Sequence, residues 1–175
     1  MRVLILSPSE AADRLEANVH AFEGLLASVG DAQSRWKPEP AQWSILEVVN
    51  HLADEEAEDF RRRLELTLAD PATPWPGIDP EGWAVARRYQ DRELDASFAR
   101  FRAERGRSVA WLRGLGTADL ERTHHHPSIG PMRAGDLLAS WLAHDLIHVR
   151  QITRLHYRWL EARAAPYRTE YAGPF

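Results

Sequence analysis

Four stretches of this chain repeat apolar residues every three or four positions, and prolines and glycines separate them. Such spacing gives amphipathic helices, each of which must bury one stripe against another element. Over residues 9–29 the stripe is Leu15, Val19, Phe22, Leu25, Leu26 and Val29, and Gly30 follows as an expected C-terminal stop. Ser44 and Glu47 form a capping box. It starts a second helix, residues 44–68, that turns Ile45, Val48, Val49, Leu52, Phe60, Leu64 and Leu68 inward. A third helix is expected over residues 81–115, broken near Gln90-Asp91, with Leu94, Phe98, Phe101, Leu112 and Leu115 on its apolar face. The fourth, residues 135–160, carries Leu137, Trp141, His144, His148, Ile152, Leu155 and Trp159 on one stripe. Pro71, Pro74, Pro76 and Pro80 make residues 70–80 a long connection, and residues 117–134 leave room for a short hairpin. Four long helices without a strand set predict an all-α four-helix bundle. At 175 residues the expectation is a single domain over 1–175. Its core covers about 10–160, and Tyr167, Tyr171 and Phe175 pack a tail, 161–175, back onto the bundle.

Composition removes several chemistries. The chain has no Cys, so thiolate zinc sites, iron–sulfur clusters and a cysteine nucleophile are excluded. The net charge of −4 argues against a general nucleic-acid binder. No run approaches the roughly 18 apolar residues of a membrane helix. The opening Val3-Leu4-Ile5-Leu6 is too short for a signal-peptide core. A cytoplasmic protein with a small-molecule substrate, and no nucleic-acid or membrane partner, is the expectation. Of 22 basic residues all but Lys37 are Arg, and 26 acidic residues oppose them, so a surface laced with ion pairs is expected.

The fourth stripe holds the anomaly. His144 and His148 stand where a core-facing helix prefers Leu. Residues four apart differ by about 40° around the axis and about 6 Å along it, so both imidazoles can reach one ion. Eight His in 175 residues yield about 0.4 such pairs by chance. The pair gains meaning from the stripe, because buried imidazoles need partners and a shared metal satisfies both. His51, between Val48 and Leu52 in the middle of the second helix, is the third candidate. Alone, a His here is more often a hydrogen-bonded boundary residue. Together the three make an open site of the catalytic kind.

The stretch Trp43-Ser44-Ile45-Leu46-Glu47-Val48-Val49-Asn50-His51-Leu52-Ala53-Asp54 resembles the second-helix signature of the DinB/YfiT-like superfamily. His144-Asp145-Leu146-Ile147-His148-Val149-Arg150-Gln151-Ile152 resembles its fourth-helix signature. Residues 78–89, with Trp83, and Arg107 are similar to positions of the YfiT-like branch. The resemblance implies an up-down-down-up bundle with a long crossover, often dimeric. It implies a divalent metal, nickel or zinc, on His51, His144 and His148. It also implies either transfer of a low-molecular-weight thiol cosubstrate to an electrophile or metal-dependent hydrolysis. Ala134 departs from the Thr or Ser more common there, which leaves the start of the fourth helix open.

Other residues carry two readings each. Asp145 could orient a ligating imidazole or pack between helices. Glu55, four after His51, could be a ligand or general base, or belong to a solvated acidic run with Asp54, Glu56, Glu58 and Asp59. Gln151 could bind a substrate or a backbone group. One of His124, His125 and His126 could line the site mouth. Arg100, Arg102, Arg105, Arg107 and Arg113 could clamp an anionic cosubstrate, with Trp83 and residues 70–80 as a wall, or pair with the acidic second helix. Trp36, Trp75, Trp111 and Trp159 could cover a homodimer interface or pack in the core. A non-catalytic metal- or ligand-binding bundle in stress response is the alternative of another class.

Overall fold

Capping decides where the first long helix begins. In a computed structural model describing residues 6–175, the Ser7 side chain accepts the Glu10 N–H at 3.2 Å, and Glu10 accepts the Ser7 N–H at 3.1 Å. Helix α1 (Pro8–Leu26) follows. Val3, Leu4 and Ile5 of the apolar opening lie outside the described residues. Gly30 does not stop α1. Its φ of −79° makes no left-handed turn, and it precedes the short helix α2 (Asp31–Arg35) instead.

Ser44 and Glu47 do form their capping box, with bonds of 3.2 and 2.8 Å. The second rod is not one α-helix. It runs as α3 (Ile45–Asp54), a π-helical segment (Glu55–Phe60) and α4 (Arg61–Ala69). The wider turn rotates the acidic run inward: Asp54, Glu55, Glu56 and Asp59 are buried, correcting the solvated reading for all but Glu58.

The third helix is broken where expected, at the turn that holds Gln90 and Asp91. Helix α5 (Pro80–Ala86) ends before Arg88, a non-glycine residue at φ 52°, and a 3-10 turn (Tyr89–Asp91) leads into α6 (Leu94–Gly114). A two-stranded antiparallel hairpin, β1 (Thr123–His126) with β2 (Gly130–Arg133), pairs His124 with Met132. Helix α7 (Ala134–Ala164) is longer than expected. Asp136 accepts the Arg133 N–H at 3.0 Å and supplies the cap that Ala134 lacks. Beyond it Phe175 stacks on Tyr157 at 4.4 Å and Thr169 meets the Tyr157 hydroxyl at 3.4 Å, whereas Tyr167 and Tyr171 stay exposed.

Side-chain pairings give the direction of each helix. Glu56 meets Arg105 and Arg61 meets Ser108, so the second rod and α6 run parallel. Arg113 reaches Glu16 and Arg102 reaches Glu23, so α1 and α6 are antiparallel. Asn18 meets Asp145 and the Leu25 carbonyl meets His156, so α1 and α7 are parallel. The order is up-down-down-up. Two consecutive parallel helices require the chain to travel back along the bundle, and residues 70–93 with α5 make that return.

The core has two apolar clusters. One gathers Leu15, Phe60, Leu64, Leu112 and Trp141; the other gathers Phe22, Val48, Leu52, Phe101 and Ile152. Between them lies a buried polar layer. Arg105, 1% exposed, donates to Glu56 at 2.8 Å, to both Asp145 oxygens at 2.7 Å and to the Leu15 carbonyl at 2.8 Å. Trp141 Nε1 donates to Glu56 at 2.6 Å and Asn18 to Asp145 at 2.8 Å. All four long elements are tied at this level.

Candidate metal centre

His51 comes from α3, one turn before the π segment, and His144 and His148 come from adjacent turns of α7. Because the second rod and α7 are antiparallel, their middles meet. His144 Nε2 lies 3.2 Å from His51 Nε2 and 3.0 Å from His148 Nε2. The three nitrogens are all within 4.8 Å of one another. Zinc–imidazole bonds of about 2.0–2.1 Å place neighbouring ligand nitrogens about 3.0–3.4 Å apart. The two closest separations fall at that spacing.

Orientation agrees. His148 Nδ1 donates to Gln151 Oε1 at 2.7 Å, which leaves the Nε2 lone pair aimed at the centre. Burial is the main cause that holds His51 down to about 3, with the His148 charge adding to it. Burial, then His148 and His51, hold His144 down to about 2. His148 is also lowered, mainly by burial, against the upward pull of Gln151 and Asp145. The imidazoles are therefore neutral at ordinary pH. Neutral nitrogens that face one another across about 3 Å repel unless a cation or a proton lies between them, so this donor set fits a divalent ion.

Aromatic rings wall the centre. Trp43 meets His51 edge-on at 4.8 Å, and Phe60 lies 5.0 Å from His144. Glu55 sits beside His51, with Oε1 3.6 Å from Nδ1. Burial first, then Asp59, pushes its carboxyl up to about 8. Two clefts share Gln151, Arg154 and Arg158. One, of about 340 Å³, adds Trp43 and Glu81; the other, of about 830 Å³, adds Arg150 and Tyr157.

The remaining candidates lie elsewhere or do other work. Both oxygens of Asp145 are taken by Arg105, with Asn18 on one of them, so it braces the bundle and does not orient an imidazole. Arg107 is exposed and pairs with Glu104 on its own helix, so it does not line the centre. Arg100 pairs with Asp54 and Arg105 with Glu56 of the second rod, as the ion-pair reading has it, whereas Arg102 pairs with Glu23 and Arg113 with Asp13 and Glu16 of α1. Trp83 carries the Arg87 guanidinium 4.2 Å above its ring, and Gln151 holds His148. His124 stacks on Trp75 at 4.2 Å and bonds the Pro71 carbonyl at 2.8 Å, so it pins the crossover near the end of the second rod, not the site mouth. That also takes the start of the 70–80 connection away from the centre, and Glu81 of α5 lines the cleft instead. Trp36 packs edge-on against Trp159 at 5.5 Å, and Trp111 packs on the first apolar cluster, so each of the four tryptophans has a partner within the chain.

Sequence reasoning passed over Arg105 and Glu56 as inward residues. The signal was present: Arg105 continues the stripe of Phe98, Phe101 and Leu112, and Glu56 that of Leu52 and Phe60.

Comparison with known proteins agrees with this architecture. A family model described as the DinB superfamily matches residues 14–152. A protein of Oceanobacillus iheyensis is 28% identical over 113 residues, 65% of this chain and 64% of its own length. YfiT of Bacillus subtilis is 29% identical over 119 residues, 66% of this chain and 65% of its own. Both bear the name "putative metal-dependent hydrolase". The chain matches just under two thirds of the length of these curated relatives. The solved structure of YfiT, described as a probable metal-dependent hydrolase with an unusual four-helix bundle topology, superposes with a TM-score of 0.78 at 22% identity, over 91% of this chain and 92% of that one. TT2238, a four-helix bundle protein, superposes at 0.54 and 23% identity, over 85% of this chain and 99% of that one. These likenesses carry the fold. No helix among the described residues is long and apolar enough to cross a membrane.

Proposed function

The chain belongs to the DinB superfamily, and from that premise we propose that it is a metal-dependent enzyme whose His51, His144 and His148 hold one divalent ion, nickel or zinc, and which transfers a low-molecular-weight thiol to an electrophile. The observation that carries this reading is the convergence of three neutral imidazole nitrogens, those of buried His51 and His148 and half-buried His144, at 3.0 and 3.2 Å. A divalent ion in such a set supplies the charge that lowers the pKa of a bound thiol or water toward neutrality. Three protein ligands leave a position open for that nucleophile. Gln151 fixes the His148 ring, and Trp43 and Phe60 pack against the rings of His51 and His144. Arg154 and Arg158, in the clefts that reach Gln151, suit the carboxylates of an acidic thiol.

Hydrolysis is the second reading, favoured by the names of the relatives. It uses the same open position with water as nucleophile. The enzyme is expected to act in the cytoplasm on small molecules, as a homodimer that light scattering would detect. The deciding assay offers an aromatic electrophile with several thiols, and separately esters and amides, each with and without added nickel or zinc. Metal-dependent thiol consumption supports transfer. Metal-dependent cleavage without thiol use supports hydrolysis. Neither activity with any divalent ion would make the protein a binding module.

A further inference from the structure

Four ionisable side chains stand in file along the second rod: His51, Glu55, Asp59 and Arg63, each four residues after the last. In an α-helix three such steps drift by about 120° around the axis. The π segment, bonded i to i+5, turns the middle step back, so the file keeps to one buried face. No side chain in it is more than 13% exposed. His51 Nδ1 is 3.6 Å from Glu55 Oε1, and Asp59 Oδ1 is 2.5 Å from Arg63 Nε. None of these four atoms has a well-directed hydrogen bond, although all are shut away from water. Four such buried polar atoms in a row on one face call for an explanation. At the far end the Arg63 guanidinium lies over the Trp75 ring at 5.0 Å, and Trp75 donates to Thr67 at 3.1 Å.

We propose that this file is a positioning relay, in which Glu55 accepts the Nδ1–H of His51 and so keeps its Nε2 aimed at the ion, while Asp59 and Arg63 hold the Glu55 carboxyl in place. The inference rests on the three-histidine reading. Gln151 already does the same for His148 from the other helix, at 2.7 Å. Glu55 is a positioning residue and not a ligand, because among the described residues only the three imidazoles bring donor atoms within 4.8 Å of one another. A small rotation of its carboxyl closes the 3.6 Å gap to bonding distance.

The test is zinc affinity by chelator competition, with the visible spectrum of the cobalt form, on the full chain and its Glu55→Ala, Glu55→Gln, Asp59→Asn and His51→Ala variants. Far-UV circular dichroism checks each for folding. Glu55→Ala should weaken zinc binding about 10–100-fold and alter the cobalt bands, as removal of a partner behind a ligating imidazole does. Glu55→Gln, whose amide oxygen still accepts the Nδ1–H, should restore most of the affinity. Asp59→Asn, one step removed, should weaken binding about 3–10-fold and decides the matter if Glu55→Ala does not fold. Wild-type affinity in both Glu55→Ala and Asp59→Asn, with loss in His51→Ala, overturns the relay and leaves the three-histidine centre standing. Loss in Glu55→Ala that Glu55→Gln does not repair also overturns it, because the hydrogen bond is then not what matters. Wild-type affinity in His51→Ala overturns the centre, and the relay with it.

Discussion

His148 is the residue where orientation, burial and chemistry meet. Its Nδ1 is bonded to Gln151 and its Nε2 faces the other two imidazoles. We expect His148→Ala to abolish metal binding and turnover while far-UV circular dichroism stays close to wild type, since an open site loses its ion before the bundle loses its core. Protonation acts on the same atoms. In the metal-free protein His51 is held down to about 3 from an ordinary 6.5. Between those values the unfolded chain binds the extra proton, so the stability His51 contributes is full above about 6.5 and falls as pH drops toward about 3. Glu55 works in the opposite sense. Pushed up to about 8 from 4.5, it holds its proton in the folded state, and its contribution is full below about 4.5 and falls as pH rises toward about 8. Urea unfolding of the metal-free protein across this range should therefore show losses on both sides. Glu55→Gln should remove the alkaline loss and keep the acid one. The histidines were legible because they interrupt an apolar stripe; Glu55 and Gln151 were legible as candidates, but not as partners behind the imidazoles, because side-chain direction is set by packing.

At the scale of elements, caps and stripes placed most helices, and the misses share a cause. Ser44 and Glu47 marked the start of the second rod correctly. Ser44 also accepts from Gln90 at 2.9 Å and so ties the cap to the turn before α6. Ser44→Ala should cost about 1–2 kcal/mol in urea unfolding, toward the upper end of what loss of a cap costs. An unchanged midpoint and slope would argue against the cap. The π segment was not legible. Apolar spacing reports the average turn, and one widened turn within residues 55–60 changes which acids face inward without disturbing Phe60 or Leu64 as core residues. The break in the third helix was legible near Gln90-Asp91, but its left-handed residue, Arg88, carries no glycine to announce it.

Over the whole molecule, the bundle is held by two apolar clusters and the Arg105 layer between them, and none of these contains the three histidines. Arg105→Ala would leave Glu56 and Asp145 buried without their shared partner, and should destabilise the fold by about 3–5 kcal/mol in denaturant unfolding. A change under 1 kcal/mol would show that the layer is not a brace. Because the core does not depend on the ion, chelation should remove activity while the helical circular dichroism signal at neutral pH persists, unlike a structural metal site. The up-down-down-up order was legible only through family resemblance. Apolar periodicity gives helices without directions, and the polar contacts that set them join residues as far apart as Asn18 and Asp145. The central claim is that three imidazoles share one ion, and X-ray absorption of the zinc-loaded protein addresses it most directly. We expect about one zinc per chain with a shell of three imidazole nitrogens at about 2.0–2.1 Å. An all-oxygen shell without imidazole scattering would contradict it.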